Sequence, residues 1–193
     1  MRYNFFALLS RMKYITRWAL MRNTRPENLC EHTQDVAVLA HGLALLQNRR
    51  FGGTVDVGKC VLLALYHDAP EILTGDLPTP VKYYNPAIRD AYRHVEDVSA
   101  NKLLSMLPED IRPDYQALFF PGEDLAEERR IVKAADKLSA LIKCVEEQGQ
   151  GNREFEQARR STEAAVRSIH LPAADCFLEE FLPAFELTLD EQN

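Results

Sequence analysis

The adjacent pair His67-Asp68 interrupts one of the most apolar stretches of the chain, CVLLALYHDAPEIL. An imidazole nitrogen and a carboxylate oxygen are good ligands for borderline or hard divalent cations. Ionisable groups that emerge from a core segment need partners, because burying them unpaired is costly. A metal ion is one such partner. A helix-terminal histidine followed by an aspartate that caps the next turn is the other reading, and the pair alone does not decide between them. Glu71 lies three and four residues further on, so on a continuous helix it points from the same side. His32 stands near the start of a second long apolar segment, where a lone histidine is more often structural than a ligand. Asp136 sits inside KAADKLSALIKC, although aspartate is a poor interior helix residue. A salt bridge with Lys133 or Lys137 is the ordinary explanation, and a share in a metal site is the other.

These side chains need helices to carry them, and helical periodicity dominates the sequence while no convincing strand alternation is present. Apolar residues at Phe5, Leu8, Leu9, Met12 and Ile15 predict a helix over about 4–18. Asn28 followed by Glu31 has the form of a capping box, opening a helix that runs to about residue 47. A strongly apolar helix is expected over about 55–71, ended by Gly75. GDLPTPVKYYNP, with three prolines, should be mostly extended or turned. Further helices are expected over about 87–106 and 125–147, in a short piece between 107 and 124, and over 155–168 and from 173 onward. The result is an all-α fold, one helical bundle over residues 1–193.

Composition narrows the function classes. A hydrophobic fraction of 46% and a charged fraction of 27% suit an ordinary globular protein. No apolar run is long enough for a membrane-spanning helix, and charged residues break up the N-terminal apolar stretch, which makes a poor signal peptide. A cytoplasmic protein is expected, with no membrane partner. The net charge of −6 does not advertise a nucleic-acid polymer as partner. The four cysteines form no CxxC unit, so neither a zinc ribbon nor a disulfide framework is indicated.

Taken together, His32, then His67-Asp68, then Asp136, each on a separate apolar segment, resemble the HD-domain metal-dependent phosphohydrolases, an all-helical superfamily. Matched position by position, the resemblance makes His32, His67, Asp68 and Asp136 the metal ligands. The segments RWALMRNTRPENLCEHT, YHDAPEILTGDLPTPVKYYNP and KAADKLSALIKCVEE narrow it to the bacterial HD-domain 5'-deoxyribonucleotidases, over almost the whole chain. Thr33 departs slightly, standing where serine is often expected, and both carry a hydroxyl.

This resemblance implies hydrolysis of deoxyribonucleoside 5'-monophosphates by a homodimer holding one divalent transition metal, cobalt or manganese or a similar ion. Such an ion polarises phosphate and acidifies water. Arg17 matches the phosphate-orienting arginine, and Glu71 would be the general acid or base. Trp18, the only tryptophan, would stand against the sugar and disfavour a 2'-hydroxyl, while Asp76 would accept from the 3'-hydroxyl. Leu77, Pro78 and Thr79 would line the nucleoside pocket, with His32, Thr33, Asp68 and Asp136 also touching substrate. Two other readings stay open. One is an HD phosphodiesterase or nucleoside triphosphate hydrolase, disfavoured because His41, His94 and His170 offer no second metal pattern. The other is a non-enzymatic helical module with a structural metal, disfavoured because such sites are usually thiolate-rich.

Overall fold

The computed structural model describes residues 2–82 and 84–192. Among these, regular structure is helical, and the one extended pairing is an isolated antiparallel bridge between Thr16 and Asn28. In chain order the helices are α1 (Phe5–Leu9), α2 (Leu29–Arg50), α3 (Val57–Tyr66), α4 (Glu71–Thr74), α5 (Thr79–Lys82), α6 (Pro86–Leu104), α7 (Arg112–Phe119), α8 (Ala126–Gly149), α9 (Glu156–Arg167) and α10 (Pro172–Glu180). Short 3-10 turns join several of them.

The centre of the molecule is the mutual packing of α2, α3 and α8, with α9 and α10 closing over α8 and α2. Val36, Ala40 and Leu43 from α2 meet Cys60, Leu63 and Ala64 from α3 and Ile131, Ala135 and Leu138 from α8. These residues recur at three- and four-residue intervals, so each helix turns one apolar stripe inward. A smaller cluster joins Phe5, Ala69, Leu103, Leu104 and Leu107, flanked by Tyr66, Tyr115 and Phe119. It fixes the N-terminal helix and the segment after α3 to the end of α6. Cys60, Cys144 and Cys176 are buried, Cys30 is exposed, and all four are free thiols.

The start of α2 follows from its sequence. Asn28 Oδ1 accepts from the N–H groups of Cys30 and Glu31 at 3.0 Å, and Glu31 Oε2 accepts from the Asn28 N–H at 3.0 Å. Two helix-end donors are thereby satisfied, an arrangement in which the cap alone stabilises by about 1 kcal/mol. It fixes the first turn, and His32 stands on that turn.

Two expected elements differ, and a third, expected to be mostly extended or turned, holds one helical turn. The helix over 4–18 stops early: after α1 and a 3-10 turn at Ser10–Tyr14, Ile15 is extended. The β-branched pair Ile15-Thr16 favours extended backbone. Arg17 N–H donates to Glu27 O, and Leu29 N–H to Ile15 O, so the chain around residue 16 is paired instead of helical. The helix over 55–71 is broken, since α3 ends at Tyr66 and His67–Asp68 lie in tight turns before α4 begins at Glu71. Pro70 explains this: it brings no N–H and biases Ala69 away from continued helix. The proline-rich segment is not wholly extended, because Val81 and Lys82 donate to the Pro78 carbonyl in the helical turn α5. A proline in a first turn is tolerated, since its missing N–H would be unpaired there anyway.

Candidate metal centre and phosphate site

The break after Tyr66 positions the site. His67 Nδ1 lies 2.7 Å from the Ala64 carbonyl. A carbonyl only accepts, so Nδ1 carries the proton and donates, and Nε2 is turned toward the interior of the site. His32, fully buried on α2, places Nδ1 3.0 Å from Ser139 Oγ on α8. In both rings an outer contact fixes the orientation, as is usual for histidines that ligate metals.

The two Nε2 atoms converge on carboxylates. His67 Nε2 is 3.1 Å from Asp68 Oδ2, and His32 Nε2 is 3.5 Å from the same oxygen. Asp136 Oδ1, from the middle of α8, lies 3.3 Å from His32 Nε2. One donor atom from each of His32, His67 and Asp68 falls within a 4.8 Å group, and Asp136 borders it through His32. Lys137 Nζ donates to Asp136 Oδ2 at 2.7 Å, so the salt bridge and the site position coexist in one carboxylate.

These residues fit a divalent cation. Buried Nε2 atoms of His32 and His67 have no hydrogen-bond partner with acceptable geometry, although carboxylate oxygens stand beside them. Buried polar atoms are otherwise almost always paired. Burial works to lower the His67 pKa, but the negative charges of Asp68 and Asp136 outweigh it and raise the group to about 9. Asp68 is driven the other way: burial opposes its ionisation, while His67 and His32 hold it well below the usual carboxylate range. The field inside the site thus favours positive charge at the point where His32, His67 and Asp68 converge, with Asp136 at its border.

Around this centre lie the expected phosphate and proton-transfer residues. Arg17 Nη1 is 3.5 Å from Asp68 Oδ2 and 3.9 Å from Asp76 Oδ1, and its Nε is 3.4 Å from Glu27 Oε2. Burial works against its charge, yet these carboxylates keep it ionised. The two Nη1 contacts are longer than the ~2.7–2.9 Å of a strong charge-assisted bond, so a phosphate can compete for that end of the guanidinium. Glu71 opens α4 and is 5% exposed. Burial first, then the charges of Asp68 and Asp76, push it up to about 8. Its Oε1 lies 3.6 Å from Lys82 Nζ, which is also 2.8 Å from Glu96 Oε1 on α6.

Asp76, Leu77 and Pro78 are half-buried on the segment between α4 and α5. The Thr79 side chain lies outside the described residues. Thr33 is buried but makes no hydrogen bond to the cluster. It lines a separate apolar groove with Phe6, Met12, Ala37, His41 and Tyr66. Trp18 donates Nε1–H to Glu27 Oε2 at 2.7 Å and packs its ring 5.3 Å from that of Phe155.

Several residues of the site were not singled out from the sequence. Ser139 lies three residues after Asp136 on α8, and that spacing was the only available signal. Glu27 precedes the capping asparagine and reads as an ordinary surface acid. Lys143 and Glu147 form a buried pair on α8, which holds the loop carrying Arg17 and Trp18 from beneath. Glu147 accepts from the Thr24 N–H at 2.8 Å, the Thr24 hydroxyl at 2.7 Å and Asn152 Nδ2 at 2.8 Å, while Lys143 donates to Glu147 and to the Arg25 carbonyl.

An all-helical fold that gathers two imidazoles, carboxylates and a buried arginine in this order places the chain among the HD-domain phosphohydrolases. An HD-domain phosphohydrolase of Listeria innocua superposes with a TM-score of 0.83 at 26% identity, over 94% of this chain and 88% of that one. Within that class, the chain belongs to the YfbR-like 5'-deoxynucleotidase family, whose model matches residues 4–185. A 5'-deoxynucleotidase of Vibrio parahaemolyticus is 48% identical over 188 residues, covering 97% of both chains. The fold is shared with an HD phosphohydrolase of cyanophage S-2L, solved with dA and one catalytic zinc ion, at a TM-score of 0.68 and 18% identity over 97% of this chain and 100% of that one.

Proposed function

We propose that this chain hydrolyses deoxyribonucleoside 5'-monophosphates to deoxyribonucleoside and phosphate, with one divalent transition metal held by His32, His67, Asp68 and Asp136. The observation that carries this reading is the placement of Arg17, a buried cation, 3.5 Å from Asp68 of the metal pair. A phosphate drawn to the ion these residues would hold would lie within reach of that guanidinium. Cobalt, manganese and zinc all suit an imidazole–carboxylate donor set, and when bound such an ion polarises the phosphate and acidifies a water.

The chain's own residues divide the remaining work. Arg17 orients the phosphate and offsets the charge that builds on its oxygens. Glu71, raised to about 8, holds a proton at neutral pH and gives it to the departing 5'-oxygen, since a buried acid poised near the working pH is an efficient donor. Trp18 stands against the sugar where a 2'-hydroxyl would project, and Asp76 accepts from the 3'-hydroxyl. Leu77, Pro78 and Thr79 close on the nucleoside. His32, Thr33, Asp68 and Asp136 complete the proposed substrate contacts.

The same reading takes residues 1–193 as one HD-type domain, working in the cytoplasm as a homodimer on small nucleotides and not on a nucleic-acid polymer or membrane. Among the described residues no helix is long and apolar enough to cross a membrane. The test is phosphate release from a panel of deoxyribo- and ribonucleoside 5'-monophosphates, 3'-monophosphates and triphosphates, with divalent metals supplied in turn. Turnover confined to deoxyribonucleoside 5'-monophosphates is expected. Preference for triphosphates or diesters would replace this reading with a different HD phosphohydrolase, and no turnover with any metal would favour a structural module. Light scattering checks the homodimer.

A further inference from the structure

Two neighbouring side chains, Arg17 and Trp18, are tied to one oxygen. Glu27 Oε2 accepts the Trp18 indole N–H at 2.7 Å and lies 3.4 Å from Arg17 Nε. Glu27 is 9% exposed, so water does little to weaken either contact. Its backbone carbonyl also accepts from the Arg17 N–H at 3.0 Å, and the next residue, Asn28, pairs with Thr16 and caps α2. Trp18 meanwhile sits at φ 57°, a left-handed conformation that is unfavourable for a bulky residue. Such a conformation persists only where surrounding contacts impose it. Here those contacts are the Glu27 carboxylate, the Phe155 ring, and a Trp18 carbonyl that accepts from Met21 N–H and Asn23 Nδ2.

We infer that Glu27 is a positioning residue that locks Trp18 and Arg17 into one unit, so that sugar discrimination and phosphate orientation are set by a single carboxylate. Glu27 touches neither substrate nor metal. Its effect passes through the indole N–H on one side and the guanidinium on the other. The link to α2 also ties this unit to the turn that carries His32, so the phosphate arm, the sugar gate and the metal helix share one anchor. This inference rests on the proposed deoxynucleotidase activity.

Two variants separate the two contacts. Glu27→Gln keeps a carbonyl oxygen for the indole N–H but removes the charge facing Arg17. Glu27→Ala removes both. The ratio of kcat/KM for dAMP over AMP should fall about tenfold in Glu27→Ala, roughly the size of one buried hydrogen bond, and should stay near the wild-type value in Glu27→Gln. The KM for dAMP should rise in both, because Arg17 loses its orienting charge. Since Trp18 is the only tryptophan, intrinsic fluorescence reports on it alone. Emission should shift to the red and acrylamide quenching should increase in Glu27→Ala, and neither should change in Glu27→Gln. Trp18→Phe should lower the ratio by itself, and adding it to Glu27→Ala should cost little more, since coupled contacts are not additive. A wild-type deoxy preference that persists in a folded Glu27→Ala, with unaltered Trp18 fluorescence, would overturn the inference and leave the deoxynucleotidase reading intact. Wild-type protein with no deoxy preference would instead sink the reading on which the inference rests.

Discussion

His67 donates its Nδ1–H to the carbonyl of Ala64 at 2.7 Å, which leaves Nε2 facing Asp68 Oδ2 at 3.1 Å. Without an ion, that geometry stabilises a second proton on the ring and raises its pKa to about 9. A metal must displace this proton, so binding and protonation compete. Below about 9, each ion bound should release one proton from His67, and affinity should rise about tenfold per pH unit until it levels off near that value. Titration calorimetry in buffers of different ionisation enthalpy measures both quantities. Affinity that is flat between pH 6 and 8, with no proton released, would contradict the claim that a second proton occupies the His67 ring over that range.

Ser139 holds His32 from behind. Ser139→Ala removes the 3.0 Å contact to Nδ1 and frees a fully buried ring to turn. Loss of such a supporting group costs about 10–100-fold in metal affinity. Calorimetry should find a weakening in that range with the far-ultraviolet circular dichroism unchanged.

Arg17, Glu71 and the ligands should separate in their effects. Asp68→Asn and Asp136→Asn should lose both metal binding and turnover. Arg17→Ala and Glu71→Gln should keep the metal and lose turnover by about 100-fold or more, the scale of a transition-state charge contact or a proton donor. Metal-induced change in melting temperature reads the first property, and phosphate release reads the second. A Glu71→Gln enzyme with near-normal turnover would remove Glu71 from the proton transfer.

Lys82 is the tuning charge for Glu71. Its ammonium, 3.6 Å away, works against the burial, Asp68 and Asp76 that raise the pKa, and the balance stands at about 8. Lys82→Met deletes the lowering influence, so the Glu71 pKa should move further up. If the protonated acid is the active form, activity falls as pH rises through that pKa. The alkaline limb of the kcat profile should therefore shift to higher pH in Lys82→Met. An acid limb that moves to higher pH in its place would mean that Glu71 acts in its ionised form.

The residues of the candidate site stand out in the sequence because they are anomalies on apolar helices. Asp136 stands out among alanines and leucines, His67-Asp68 ends an apolar run, and Asn28 with Glu31 spells out the cap that fixes His32. The residues that hold them were not legible, for physical reasons. Ser139 is compatible with any helix surface, and Glu27 looks solvated until the chain folds back to pair residue 16 with residue 28. The break between α3 and α4 was hidden because the apolar pattern continues through it, although Pro70 foretold it. Lys143 and Glu147 have the i,i+4 spacing common on solvated helix faces, yet they are buried beneath the Arg17 loop.

That buried pair gives a stability prediction. Hydrogen bonds from Lys143, Thr24 and Asn152 overcome the burial that opposes ionisation and hold Glu147 well below the usual carboxylate range. A depressed carboxylate stabilises the fold above its unfolded pKa, near 4.5, and the contribution is lost as pH falls through the lower folded value. Glu147→Ala should cost about 3–5 kcal/mol near neutral pH, because Lys143 is left buried without its partner. Urea denaturation checks this, and the gap between variant and wild type should narrow below pH 4.

The central claim is that His32, His67, Asp68 and Asp136 hold the ion on which turnover depends. Its most direct test is phosphate release from dAMP by chelator-stripped protein as a divalent metal is added back, with wild type and Asp68→Asn side by side. Activity should be absent in the stripped wild type, return to a plateau near one ion per chain, and fail to return in Asp68→Asn. Full activity in the stripped protein, or equal recovery in the variant, would contradict it.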